Sequence, residues 1–150
     1  MRDGKGAEMT ARNGTAEWRG DVESGSGTVT VGDGVFEGPY SFASRFGEGD
    51  GTNPEQLIAA AHAACFTMAL SNLLSTEGHV PDSLRTAAHV QLRNIEGSPT
   101  LARMDLETEG RVPGVEEDEF RRYAEQAKQE CPVSRALAGI PEITLTATLA

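Results

Sequence analysis

Between Glu55 and Glu77 the chain carries no Asp, Glu, Lys or Arg, and an uncharged run of that length has few places to go in a folded protein. It predicts one long helix. Thr52 and Glu55 stand three apart, as in a capping box, while Asn53 followed by Pro54 offers a second start with Asn as N-cap and Pro at the first helical position. Leu57, Ile58, Ala61, Ala64, Cys65, Met68 and Ala69 recur at three- and four-residue intervals, which places them on one expected apolar stripe with a thiol in it. The helix is expected to end near Gly78 and, at 1.5 Å per residue, to be roughly 30 Å long.

A membrane span is the rival reading. His62, Thr67, Ser71, Asn72, Ser75 and Thr76 dilute the run, which is built on Ala rather than Leu or Ile, so it is expected to fall short of what insertion needs. A core helix, enclosed on most sides and completed by a second subunit, is the expectation instead. The N-terminus lacks the apolar core of a signal peptide, which favours the cytoplasm. In reducing surroundings the two cysteines point to reactivity or metal rather than to a structural bridge. A formal charge of -10 would repel a phosphate backbone, and no basic, aromatic-interleaved stripe offsets it, so nucleic acid is not an expected partner.

With 150 residues the chain is long enough for one domain with a hydrophobic core. Residues 1–12 are Gly-rich and polar and read as a disordered extension, leaving residues 13–150 as a single domain. Residues 15–19 around Trp18, 28–31 and 40–46 read as short antiparallel strands, with Gly32-Asp33-Gly34 supplying a turn. Further on, Leu84, Thr86, Ala88, Val90 and Leu92 alternate with more polar neighbours, as do Met104, Leu106 and Thr108, predicting two half-buried strands joined through Gly97-Ser98-Pro99. Residues 115–129 return to helical spacing with acidic residues at the start, a short helix follows Cys131-Pro132, and Ile143, Leu145, Ala147 and Leu149 mark a last strand. The class is α+β, with mostly antiparallel strands on a buried helix. Trp18, Phe36, Phe42, Phe66 and Phe120 are read as core.

Cys65 and Cys131 are too far apart for a C-x-x-C motif. Cys131 precedes Pro132 at a helix start, where unpaired N–H groups favour a thiolate. Cys65 is mid-helix, so a reactive Cys65 needs a cation brought from elsewhere, and its alternative is a small core residue. Arg45 is the candidate cation: it lies in Tyr40-Ser41-Phe42-Ala43-Ser44-Arg45-Phe46, just before the loop of Gly47, Gly49 and Gly51 that leads into the helix. Glu55 could grip the guanidinium bidentately, or serve only as a cap. His62, three residues before Cys65, is either a base for the thiol or a satisfied core histidine. The cysteines with His62, His79 and His89 show no metal-ligand spacing, and the glycine loop lacks the Gly-Lys-Ser/Thr ending of a phosphate loop.

The segment Gly51-Thr52-Asn53-Pro54-Glu55-Gln56-Leu57-Ile58-Ala59-Ala60-Ala61-His62-Ala63-Ala64-Cys65-Phe66, with Cys131-Pro132-Val133-Ser134, closely resembles the OsmC/Ohr family, the osmotically inducible and organic-hydroperoxide-resistance thiol peroxidases. The His-Ala-Ala-Cys form and the Ser-Arg-Phe context of Arg45 resemble the OsmC branch. The resemblance implies an intertwined homodimer whose strands wrap around two central helices. It implies Cys65 as peroxidatic cysteine, Cys131 as resolving cysteine, Arg45 as thiolate activator and Glu55 as the carboxylate that orients it. It further implies an organic hydroperoxide substrate, a dithiol or lipoyl-protein reductant, and no metal or organic cofactor. Two other readings of the same thiols stand beside it: a noncatalytic domain stapled by a disulfide, and a redox sensor.

Overall fold

The computed structural model describes residues 9–150; the start of the expected extension, residues 1–8, lies outside the described residues, and residues 9–12 are exposed without regular structure. The chain divides into two compact units, one ending at Asn53 and one spanning Pro54–Ala150.

The first unit is a meander of β1 (Gly14–Arg19), β2 (Ser26–Val31) and β3 (Phe36–Tyr40), antiparallel in that order, followed by the short helix α1 (Phe42–Phe46). Gly27 pairs with both Trp18 and Tyr40, whose rings meet at 5.2 Å across it. A Cβ at Gly27 would collide with both rings, so the missing side chain is what lets the aromatic pair close. The strand expected over residues 40–46 is not formed: β3 stops at Tyr40 and the chain turns into α1. The cause is local. Ser41 Oγ accepts from Ser44 N at 3.1 Å and Ser44 Oγ accepts from Ser41 N at 2.8 Å, a reciprocal cap that favours a helical turn over extension. Ser44 Oγ then donates to Thr52 O and Asn53 Nδ2 to Ser44 O, which closes the glycine loop onto α1. Phe36 and Phe42, expected in the core, are exposed.

The second unit is built on α2 (Pro54–Thr76), with β4 (Ser83–Ile95), β5 (Ser98–Arg111), α3 (Glu117–Glu130), α4 (Pro132–Ala136) and β6 (Glu142–Leu149). Helix α2 begins at the proline and is followed by Gly78 at φ +86°, as the sequence implies. The sheet order is β4-β5-β6. The hairpin β4–β5 is antiparallel, and its two turn residues are Glu96 and Gly97, both at positive φ, one position before the expected junction. Strand β6 runs parallel to β5, because α3 and α4 lie between them and carry the chain back to the same end.

Helix α2 packs on the sheet and on α3 and α4. Phe66, Leu70 and Leu74 join Leu106 from β5, Phe120, Ala124 and Ala127 from α3, Cys131, and Ala147 from β6 in one core. The buried residues of α2 are therefore His62, Phe66, Leu70 and Leu74, not the expected stripe. Ala61, Ala64 and Met68 of that stripe are exposed, Met68 by 75%. Alanine on every face gives the pattern little amplitude, and the large side chains at four-residue spacing decide which side turns inward. By length and composition α2 is apolar enough to cross a bilayer, with an 18-residue window of mean hydropathy 1.6, contrary to the expectation from its polar residues. Its contacts with sheet and helices are those of a core helix.

Gly110 of β5 faces the Phe120 ring: a Cβ there would lie 2.7 Å from two ring carbons and 3.0 Å from Leu84 Cδ2. The ring is fully buried and has no room to swing away. Gly110→Ala is expected to destabilise the protein by about 1–3 kcal/mol, read as a lower urea midpoint. An unchanged midpoint would show that the core yields there at no cost.

Candidate active site

Cys65 sits one residue before Phe66, at the edge of the buried face of α2, and is half-buried. Thr67, two residues on, fixes the helix against the sheet. Its hydroxyl donates to Ala63 O at 2.7 Å and meets Thr86 Oγ1 of β4 at 2.8 Å, which in turn meets Thr108 Oγ1 of β5 at 3.0 Å. These hydroxyls satisfy one another inside the packed layer.

Cys131 lies at the junction of two helices. Its N–H ends α3 on Ala127 O at 2.9 Å, and its carbonyl accepts from Arg135 N at 3.1 Å as α4 begins. Pro132 takes the first position of α4, as its fixed φ suits. The residue is fully buried. The junction places Cys131 Sγ 2.9 Å from Cys65 Sγ. Both cysteines are free thiols, in hydrogen-bond contact.

The two thiols are not equivalent. Burial pushes Cys65 above the ordinary thiol value, and the hydrogen bond with Cys131 adds to the rise; the N–H of Val133 opposes it only in part. Burial acts in the same sense on Cys131, but there it is outweighed by the hydrogen bond from Cys65 and by the Ser134 N–H and hydroxyl and the Val133 N–H, so Cys131 falls below the ordinary value. Those amides act as nearby dipoles, since none closes a side-chain cap bond to Cys131 in the strict geometric sense. Either thiol can donate across the 2.9 Å contact. Within this unit the pair alone makes Cys131 the more acidic thiol, as its helix-start position implies. Cys65 needs a cation to be the nucleophile.

His62 is fully buried on α2, and its Nε2 meets Ser134 Oγ of α4 at 2.6 Å. Its Nδ1 is buried with no hydrogen-bond partner among the described residues. So His62 is a core histidine satisfied at one nitrogen, bonded to Ser134 rather than to the thiol beside it. Burial holds it below the ordinary imidazole value. Ser134 was visible in the sequence only as part of Cys131-Pro132-Val133-Ser134; its place three residues past a cap, with proline between, is the spacing that would have flagged it.

Arg45 belongs to the first unit, in the last turn of α1, with its guanidinium 5.3 Å from the centroid of the Phe46 ring. It lines a cavity of about 210 Å³ with Trp18, Val22, Tyr40, Ser41, Phe42 and Phe46. Glu55 belongs to the second unit, half-buried in the first turn of α2. The structure thus brings the two thiols together, while Arg45 and Glu55 belong to different units. Among the described residues there is no cluster of three or more His, Cys, Asp or Glu able to hold a metal ion.

Comparison with known proteins places this geometry in context. The model of the family described as OsmC-like protein matches residues 47–146. The peroxiredoxin OsmC of Escherichia coli (strain K12) is 44% identical over 135 residues, 89% of this chain and 93% of that protein. The organic hydroperoxide resistance protein of Xanthomonas axonopodis pv. citri (strain 306) is 35% identical over 99 residues, 65% of this chain and 68% of that protein. Among solved structures, an organic hydroperoxide resistance protein from Elizabethkingia anophelis superposes with a TM-score of 0.71 at 29% identity, covering 94% of this chain and 97% of that one.

The burial of His62 has a consequence for pH. Its folded value lies below its unfolded one, so the unfolded chain binds more protons in the acid range. The stability is complete above the ordinary imidazole value near 6.5 and declines as pH falls below it. Urea midpoints at pH 7.5 and pH 5 are expected to differ more in the parent than in His62→Gln, which lacks the titrating imidazole, and comparing the two proteins removes every contribution they share. Equal pH dependence in the two proteins would show that His62 is not held neutral.

Proposed function

We propose, from the premise that this chain belongs to the OsmC/Ohr family and is a thiol-dependent redox enzyme, that it reduces organic hydroperoxides to alcohols through Cys65 and Cys131. The observation that carries the reading is the 2.9 Å contact of two free thiols, the partly exposed one on α2 and the buried one at the α3–α4 junction. Cys65 is the peroxidatic cysteine, since it alone of the pair is open to a substrate. Its thiolate attacks one peroxide oxygen, the O–O bond breaks, and the alkoxide leaves and takes a proton to become the alcohol. The sulfur is left as a sulfenic acid. Cys131, already in contact, displaces hydroxide from it to form the disulfide. An external dithiol, of which a lipoyl protein is the proposed form, restores both thiols by exchange.

Arg45 is the proposed activator. The asymmetry within the thiol pair supports this, because nothing in the second unit lowers Cys65 enough for it to act as the nucleophile. A guanidinium beside it would favour the thiolate and polarise the peroxide, with Glu55 orienting the guanidinium. The apolar side chains around Arg45 favour an organic hydroperoxide over hydrogen peroxide, in line with the names of the relatives. The reading takes residues 13–150 as one functional domain in the cytoplasm. A second copy of the chain covers the uncharged face of α2 that carries Met68, as in the intertwined dimer that the sequence resemblance implies.

With cumene hydroperoxide in stopped flow, the parent is expected to lose both thiols per equivalent of peroxide. Cys131→Ser should consume one equivalent and stop at a sulfenic acid that dimedone traps, and Cys65→Ser should consume none. Arg45→Ala should lower the rate of the first step by about a hundredfold or more, the loss typical of one removed charge-stabilising donor. Consumption by Cys65→Ser at the parental rate would refute the assignment. Dihydrolipoamide should support turnover better than a monothiol.

A further inference from the structure

Where α2 meets the β4–β5 hairpin, the packing is apolar except at one place. Leu84 and Ala88 of β4 and Leu106 of β5 pack into the core. Among them Thr86 stands directly opposite Thr108, and the Thr67 hydroxyl of α2 lies 2.8 Å from Thr86 Oγ1. Valine has nearly the same shape as threonine, suits a strand as well, and brings no polar group to satisfy. Three hydroxyls meeting in this layer therefore do something that apolar packing would not, and nothing in the peroxide chemistry above uses them.

The hydroxyls form a chain with one direction. A carbonyl oxygen only accepts, so the single hydrogen of Thr67 goes to Ala63 O, 2.7 Å away. Thr67 Oγ1 is then the acceptor for Thr86. Thr86, with its hydrogen so committed, accepts from Thr108 at 3.0 Å, a shorter contact than the 3.3 Å from Thr108 Oγ1 to Arg85 O. Links of this kind polarise and strengthen one another. The chain starts on the sheet and ends on the helix, at Ala63 two positions before Cys65 and Thr67 two positions after it. The turn held in this way is the one that carries the thiol.

Apolar contacts are non-directional and let a helix shift along a sheet, whereas hydrogen bonds weaken steeply as their geometry is lost. Cys131 reaches the same place by another route, from the α3–α4 junction, and its Sγ stands 2.9 Å from Cys65 Sγ. A disulfide needs its two Cβ atoms in a narrow range, typically about 3.5–4.5 Å apart, and a turn of α2 that drifts along the sheet leaves that range. We propose that the chain Thr108–Thr86–Thr67 positions Cys65 for bonding to Cys131, with Thr86 as the link between sheet and helix, so that the free dithiol is already arranged as the disulfide requires. Its part in turnover rests on the peroxidase reading; its effect on the thiol pair does not.

A hydroxyl that only supports the fold stabilises the dithiol and disulfide forms alike and leaves the equilibrium between them unchanged. A positioning hydroxyl leaves less motion to be lost when the S–S bond forms, and so shifts that equilibrium toward the disulfide.

The test is thiol–disulfide exchange with dithiothreitol, without hydroperoxide. Cys65 and Cys131 give up two electrons and two protons as their S–S bond forms, and the S–S bond of oxidised dithiothreitol breaks and takes up both. Thr86→Val and Thr67→Val remove a hydroxyl and keep the branched shape; each should lower the equilibrium constant for the protein disulfide about fivefold, the scale of one internal hydrogen bond. The double variant should fall no further than the singles, since both remove the same link, and Thr86→Ser, which keeps the hydroxyl, should hold the parental value. An unmoved constant in either valine variant, even beside a lowered urea midpoint, assigns the hydroxyls to packing alone and overturns the proposal. So does a fall in Thr86→Ser equal to that in Thr86→Val, or a double variant well below both singles. Either valine variant decides should the other not fold. After one equivalent of cumene hydroperoxide, Thr86→Val should also close the disulfide about fivefold more slowly; unchanged closure would remove the role in turnover. A parent that consumes no hydroperoxide would refute the peroxidase reading, while the exchange equilibrium would still decide on the chain.

Discussion

The contact between Cys65 and Cys131 depends on two backbones being held at one distance. One thiol rides mid-helix on α2, and the other sits where α3 ends and α4 begins. No local sequence relation connects them, so the separation is set by packing: Phe66, Leu70 and Leu74 of α2 against Phe120, Ala124 and Ala127 of α3. Alanines on the α3 side let the helices approach closely, and close-packed interiors transmit small volume changes as displacements. The threonine ladder from α2 through β4 to β5 holds the same helix from its other side, with bonds that lose their geometry if α2 slides. The chemistry of the pair is in this sense a property of the core.

Burial also sets the electrostatics. Two thiols in contact cannot both carry charge at moderate cost, since each anion raises the price of the next. In the second unit taken alone, burial pushes Cys65 up while the surrounding hydrogen bonds and amides bring Cys131 down. That is the wrong order for a peroxide arriving at the accessible thiol and the right order for closing a disulfide. On the proposed mechanism a cation at Cys65 would reverse the order for the first step, and oxidation of Cys65, which removes its charge, would restore it for the second. On the proposed assignment the pair thus switches roles through its own oxidation state.

Much of this was legible in the sequence, for physical reasons particular to each residue. Pro54 and Gly78 mark the ends of α2 because their backbone preferences suit few other places. Strict alternation marks β5, whose Ala102, Met104, Leu106 and Thr108 all point inward. Pro132 after Cys131 announces a helix start. The inward face of α2 was misread because alanine is compatible with any side. The turn of α1 was misread as strand because its aromatics suggested extension while two serines, Ser41 and Ser44, decided the matter through a reciprocal cap. The partnership of His62 with Ser134 spans 72 positions, and no spacing rule in one sequence connects residues so far apart.

The same burial accounts for the composition of α2. A charged residue within about five residues of Cys65 on α2 would lie roughly 8 Å or less along the axis from a thiol pair whose balance is set by hydrogen bonds and dipoles of modest size. At an effective dielectric of about 20, a unit charge 8 Å away contributes on the order of 2 kcal/mol, comparable to those hydrogen bonds. An acidic residue in the adjoining turns would suppress ionisation of both cysteines, and a basic one would favour whichever sulfur it lay nearer, independently of oxidation state. Keeping the helix uncharged leaves the balance to groups elsewhere: the amides at the start of α4 near Cys131 and, as proposed, the Arg45 guanidinium at Cys65. The absence of charge across the outward face of α2, where Met68 is exposed, would also spare a second copy of the chain the desolvation cost of covering it.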